Sequence, residues 1–223
     1  MVERQSDVPK GQPPDTAALG STRRLCPLGY QSCEASLFAK IISVIVISLE
    51  IRSIPLSVDA TKFRSLAYYT RLSNIATLIS SFMLLIFGQI RAVTAVRYLA
   101  VCMMVMTFFV TTCVLVPMGA DPKRMLWSGS GLYHHVLCPV LTFLSYIIFE
   151  KHAGADLIWL PAAVTLAYGL TMIWLNWKKI YDGPYPFFKV HEQTPAKTVM
   201  WIAVLLAAVT LISALVWFIS SLV

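Results

Sequence analysis

Two adjacent histidines stand just before a long apolar stretch of the sequence. His134 and His135 precede the run 140–149, which holds no charged residue. An ionisable side chain at or inside the hydrocarbon of a membrane is costly, so in a membrane helix it is a functional candidate by default. A histidine can accept and return a proton near neutral pH, because its ordinary pKa is about 6.5. The pair therefore predicts a proton-transfer site at the mouth of a membrane helix.

A second polar group lies on one face of another apolar segment. It consists of Thr70, Ser73, Asn74 and Thr77, whose offsets of three, four and seven residues place them on one side of a helix. Such a face points to protein or water rather than to lipid. A hydroxyl near a histidine could attack an ester or amide carbonyl, and Thr70 is the best-placed hydroxyl, with Ser73 behind it. Asn74 or Arg71 could stabilise an oxyanion or bind a lipid carboxylate or phosphate.

The composition places these residues in an integral membrane protein. Hydrophobic residues make up 57% of the chain and charged residues 13%, against about 25% charged in an average globular domain. A membrane-spanning helix needs about 20 apolar residues. Six runs meet that length without the alternation of a β-barrel strand: 37–57, 69–90, 95–117, 132–149, 157–177 and 199–222. The sequence predicts an all-α, multi-pass protein of the cell membrane, with a six-helix transmembrane domain over 36–223.

The segments outside the six predicted spans carry further expectations. Residues 1–35 are polar and include three prolines before residue 15, which predicts a disordered tail. Pro55 predicts that the first span breaks near Ile54. The loop 178–188 is rich in aromatic residues and proline, and Tyr185 lies within it. With six spans, the loops after the first, third and fifth helices open on one face, so Tyr185 is expected to meet the polar residues that begin the second and fourth helices.

Charge and ligand-type patterns argue against several other functions. The net charge of +7 comes from Lys and Arg scattered among loops and helix ends, which does not predict nucleic-acid binding. Adjacent histidines diverge by about 100° around a helix and seldom share one metal ion. Neither a His-Glu-x-x-His nor a Cys-x-x-Cys pattern is present. No metal and no cofactor is predicted, whereas Cys26 and Cys33 could pair only in an oxidising compartment.

Three short motifs together resemble a known family. They are Tyr-Thr-Arg-Leu-Ser-Asn at 69–74, Leu-Tyr-His-His-Val-Leu-Cys-Pro at 132–139 and Gly-Pro-Tyr-Pro-Phe at 183–187. Their order over roughly 37–222 resembles the bacterial six-span family called Pr-six-Pr, which has no settled activity. The pattern is similar, more distantly, to the androgen-induced multipass hydrolases, which cleave fatty acid esters of hydroxy fatty acids with a membrane-embedded threonine and histidine.

The resemblance implies roles for individual residues. Thr70 matches the threonine, and His135, four residues before Pro139, matches the histidine. In those hydrolases the histidine precedes its proline by five residues, which favours His134, so both histidines are catalytic candidates. Arg71, Ser73, Asn74 and Tyr185 are the predicted substrate-binding residues.

Two classes of function follow from this reasoning. The first is an intramembrane lipid ester hydrolase or acyl transferase that uses a threonine and a histidine at one membrane face. The second is a small transporter, channel or receptor that binds a ligand or proton at the same polar cluster. A transporter typically breaks its helices near mid-membrane, whereas the unusual residues here gather at one end of the predicted bundle, which favours the enzyme.

Overall fold

A computed structural model describes residues 27–58, 67–183 and 185–223 of the chain. The described residues contain seven α-helices and no β-strand, which confirms the all-α prediction. The helices are α1 (Pro27–Val58), α2 (Tyr69–Phe87), α3 (Arg91–Val110), α4 (Gly129–Leu132), α5 (Cys138–Phe149), α6 (Leu160–Trp177) and α7 (Pro195–Ser221).

Short π-helical segments extend two of these helices. Thr111–Leu115 continues α3, and Tyr133–Leu137 joins α4 to α5 into one stretch of 21 residues, Gly129–Phe149. Five stretches of the described chain are long and apolar enough to cross a membrane: Tyr69–Phe87, Arg91–Leu115, Gly129–Phe149, Ala155–Trp177 and Pro195–Ser221.

The outward faces of these helices suit lipid. Large apolar side chains such as Ile86, Trp159 and Leu211 are 70%, 68% and 60% exposed, which only a hydrocarbon environment tolerates over so many helices. The chain is therefore a multi-pass, membrane-type helical protein. The sixth predicted span, 37–57, falls on α1, which is not among the five stretches, so the count of six is not confirmed.

The first helix differs from its prediction at both ends. It begins at Pro27 rather than at 37, and its helical backbone passes through Pro55 to Val58, so the predicted break near Ile54 is wrong. A proline inside a helix removes a single backbone hydrogen bond, and here only three residues of helix follow it. The division at residue 35 stays a prediction, and residues 1–26, with Cys26, lie outside the described chain.

Four helices form a closed ring, and two more pack outside it. The ring has the order α1, α2, α3, α5, in which each helix packs against the next and α5 packs back on α1. The pair α6 and α7 packs together against α3. As a result, α3 has interior on both sides, and its residues Tyr98, Val101, Cys102 and Met104 are fully buried.

The polar face of α2 is buried in protein, which confirms the sequence prediction. Ser73, Asn74 and Thr77 are at most 3% exposed. The Ser73 hydroxyl meets the Thr107 hydroxyl of α3 at 2.8 Å, and Asn74 Nδ2 donates to the backbone oxygen of Thr70 at 2.5 Å. The Ser73 hydroxyl and the Asn74 amide nitrogen thus have hydrogen-bond partners within the protein, which lipid could not supply.

Candidate functional site

A cavity opens between α2, α3, α6, α7 and the loop that follows α6. It has about 750 Å³ of empty space, its open mouth included. Its polar groups include four threonine hydroxyls, and its walls are otherwise aromatic and aliphatic. The threonines are Thr70, Thr107, Thr111 and Thr165, and the aromatic residues are Tyr69, Tyr168, Tyr185, Phe187, Phe188 and Trp201. A largely apolar cavity with a few convergent polar groups is typical of a small-molecule site, and its lining here suits an acyl chain.

The aromatic loop closes one side of the cavity. Tyr185, Phe187 and Phe188 are buried, and the rings of Tyr185 and Phe187 stack with their centroids 5.1 Å apart. Asn176 holds the loop from α6 by accepting the backbone N–H of Val190 at 2.8 Å. Burial raises the pKa of the Tyr185 phenol, because the charged form loses its hydration. The phenol therefore stays protonated and can donate a hydrogen bond into the cavity.

Thr70 lines the cavity but pairs with Tyr185 rather than with a histidine. Its hydroxyl lies 3.5 Å from the Tyr185 phenol oxygen, and neither His134 nor His135 hydrogen-bonds to it. The contact brings the start of α2 and the aromatic loop together at one end of the bundle, as span counting predicts.

His135 pairs instead with Thr111, a residue that the sequence analysis did not single out. The Thr111 hydroxyl lies 2.9 Å from His135 Nδ1, Thr111 is 1% exposed, and its side chain lines the cavity. Both residues sit in π-helical segments, which are frequent at functional sites. The available sequence signal was the spacing of Thr107 and Thr111, which puts two hydroxyls on one face of the third predicted span.

His134 faces a different part of the molecule. Its Nε2 lies 3.1 Å from Arg71 Nη1, and its Nδ1 lies 3.5 Å from Glu50 Oε2, with the His134 and Glu50 side chains each 5% exposed. A guanidinium can only donate, so Nε2 accepts and the ring proton is on Nδ1, facing the carboxylate. His134 thus lies between the Glu50 carboxyl group and the Arg71 guanidinium.

The predicted site residues divide between two places. Thr70 and Tyr185 lie at the cavity, whereas Arg71 and His134 meet Glu50 on the ring side of α2. Ser73 is hydrogen-bonded to Thr107, which lines the cavity, and Asn74 Nδ2 donates to the Thr70 backbone oxygen. The predicted pairing of Thr70 with a histidine is therefore absent from this arrangement, and Thr111 takes that position.

Within the described ranges, no group of three or more His, Cys, Asp or Glu side chains could hold a metal ion. Comparison of the chain with protein-family models, with curated proteins and with solved structures finds no match in any of the three. Membership of the Pr-six-Pr family therefore stays a prediction that rests on the three motifs alone.

Proposed function

We propose that the protein is a lipid ester hydrolase or acyl transferase that acts within the cell membrane. The observation that supports this most directly is the 2.9 Å contact between the hydroxyl of Thr111, which lines an apolar cavity, and His135 Nδ1. A hydroxyl hydrogen-bonded to an imidazole is the arrangement that acyl-transfer enzymes use to activate a nucleophile. The cavity supplies room for the acyl chain of a lipid ester beside that pair.

The reaction would run in two balanced steps. Thr111 Oγ attacks the ester carbonyl carbon and gives its proton to His135 Nδ1, and the ester C–O bond breaks as the leaving alcohol takes that proton. Water, or a second alcohol in a transferase, then attacks the acyl-threonine. Its proton passes through His135 back to Thr111 Oγ as the acyl group departs.

Thr70 and Tyr185 would bind the ester carbonyl oxygen in this proposal. Their oxygen atoms are 3.5 Å apart and both line the cavity, so their O–H groups can donate to the negative charge that develops on that oxygen. This role differs from the nucleophile role that the family resemblance implies for Thr70. His134, with both ring nitrogens facing charged groups, transfers no proton in this scheme.

A fluorophosphonate probe that carries an alkyl chain tests the proposal, because it phosphonylates an activated hydroxyl. We expect the purified wild type to be labelled, and Thr111→Ala and His135→Ala to lose labelling by on the order of a hundredfold or more. Thr111→Ser should keep labelling. Thr165→Val is the matched control, since Thr165 lines the same cavity but bonds to Tyr69 at 2.8 Å, and it should label as the wild type does.

The other outcomes are equally decisive, provided that each variant is folded, as judged by its size-exclusion profile and its thermal unfolding transition. Loss of label in Thr70→Ala with full labelling of Thr111→Ala would assign the nucleophile to Thr70, as the resemblance implies. A wild type that takes no label, or labelling that ignores every substitution, would refute the enzyme. The alternative, a transporter, channel or receptor, would then be favoured.

A further inference from the structure

The ring of α1, α2, α3 and α5 contains buried polar atoms without a hydrogen-bond partner, one of which, His134 Nδ1, has only its 3.5 Å ion-pair contact with Glu50 Oε2. Among the described residues, six buried side-chain atoms have no hydrogen-bond partner, and all six come from α1, α2 and the helical stretch that includes α5. They are Ser43 Oγ, Glu50 Oε1, Asn74 Oδ1, Thr77 Oγ1, His134 Nδ1 and Thr142 Oγ1, and we call these six residues the polar seam. Each of the six residues is at most 4% exposed.

The polar seam runs along the ring in layers. Glu50, His134 and Arg71 form one layer, since they contact one another. Ser43 is seven residues from Glu50 along α1, and Thr77 is six residues from Arg71 along α2. Thr142 is eight residues from His134 along the helical stretch that includes α5. At 1.5 Å per residue, these three hydroxyls lie about 9–12 Å deeper in the bundle, and Asn74 lies between the two layers.

A second charged layer lies one helical turn beyond the three hydroxyls. Arg97 pairs with Glu150, and both side chains are at most 3% exposed. Ser81 accepts from Arg97 at 3.1 Å, and Ser145 donates to Glu150 at 2.8 Å. Ser81 is four residues beyond Thr77, and Ser145 is three beyond Thr142, a step of about 4.5–6 Å. Polar layers thus connect two buried charge clusters near opposite ends of the ring.

Water accounts for the unpaired atoms better than a dry interior does. A buried polar atom without a partner loses the full free energy of its hydration, and lipid offers no hydrogen bonds in its place. Ordered water commonly satisfies such atoms inside proteins. The two layers of unpaired atoms lie about 9–12 Å apart, a distance that a short chain of hydrogen-bonded water molecules can bridge.

We propose that the polar seam holds a file of water molecules and conducts protons between the two ends of the ring. The polar seam shares none of its six residues with the lining of the cavity, so this activity is additional to the proposed hydrolase. Each buried carboxylate faces an arginine, Glu50 through His134 and Glu150 directly. The ring interior therefore has no net negative charge that would bind a metal cation. Water molecules, the hydroxyl groups and the Glu50 carboxyl group can instead transfer protons along the seam. Besides His134 and Arg71, Glu50 faces the Cys138 thiol.

Proton flux into vesicles tests the proposal. The full chain is reconstituted into phosphatidylcholine and phosphatidylglycerol vesicles that contain a pH-sensitive dye, and a valinomycin-mediated potassium potential drives protons. We expect wild-type flux above that of protein-free vesicles, and a fall on the order of tenfold in the double variant Thr77→Val and Thr142→Val, because two hydrogen-bonding positions are lost. Glu50→Gln should lower flux too. Thr171→Val, on the exposed face of α6, is the control and should conduct as the wild type does.

Thermal unfolding of the same valine variants gives a second, independent result. In a dry interior, replacing an unpaired buried hydroxyl by a methyl group raises the unfolding temperature. In a hydrated seam the same change removes a hydrogen-bond partner of a bound water molecule and therefore lowers the unfolding temperature. A rise in unfolding temperature, a wild-type flux equal to that of empty vesicles, or an unchanged flux in the folded double variant would each overturn the proposal.

Discussion

Removing the buried arginine of α3 should destabilise the protein more than any single change to its surface. Arg97 Nε donates to one oxygen of Glu150 at 2.8 Å, and Nη2 donates to the other oxygen. Ser81 and Ser145 bond to the two partners from α2 and α5. The ion pair therefore joins three helices of the ring at the end away from the histidines.

The size of the effect follows from leaving one charge without its partner. In Arg97→Met, the Glu150 carboxylate, whose side chain is 3% exposed, keeps only a hydrogen bond to a serine. Removing one partner of a buried ion pair in this way lowers the free energy of unfolding by about 3–5 kcal/mol. For a chain of this size, that is a fall of roughly 6–20 °C in the unfolding temperature. The double variant Arg97→Met and Glu150→Leu should recover most of the loss, because apolar side chains can replace a buried ion pair with little change in stability.

A double-mutant cycle measured by tryptophan fluorescence during unfolding in detergent checks this reasoning. The exposed pair of Arg91 and Asp156, 3.3 Å apart with side chains 89% and 60% exposed, is the control, and the matching substitutions there should leave stability unchanged. An Arg97→Met variant that loses less than about 1 kcal/mol would show that the pair is hydrated enough to be weak. A double variant no more stable than Arg97→Met alone would show that the two residues do not act as a pair.

Two further predictions concern the aromatic loop and helix α4. Because the pKa of Tyr185 is raised in the folded state, the folded protein keeps a proton that the unfolded chain releases above a pH of about 10. The stability of the fold should therefore decrease as the pH rises past that value. In a series of unfolding temperatures measured against pH, Tyr185→Phe should show a smaller decrease. A side chain at Gly131 would meet the backbone oxygens of Arg124 and Met125, so Gly131→Ala should lower the unfolding temperature while Ser130→Ala does not. An unchanged unfolding temperature in Gly131→Ala would show that the π-helical segment Lys123–Trp127, which carries those two oxygens, moves away freely.

The membrane class and the helical fold could be derived from the sequence for a general physical reason. In lipid, a backbone must satisfy its own hydrogen bonds, so apolar runs of span length have few structural options, and five of the predicted spans became helices suited to a membrane. The polar face of α2 was equally predictable, because a stripe at offsets of three and four residues has to face protein. The start of α1 at Pro27 was not, since the composition of 27–36 resembles the polar residues before it.

The pairing of side chains, by contrast, was decided by tertiary structure. Motif similarity pointed to Thr70 as the partner of a histidine, yet Thr111 holds His135, and Glu50 with Arg71 holds His134. The adjacent histidines point in different directions around their helical segment, so packing determines which of them meets Thr111 and which meets Glu50 and Arg71. Hydropathy and periodicity determine that a helix is in the membrane and which of its faces is polar. The rotation of that helix, and the distant residue that it meets, depend on how all the helices pack together.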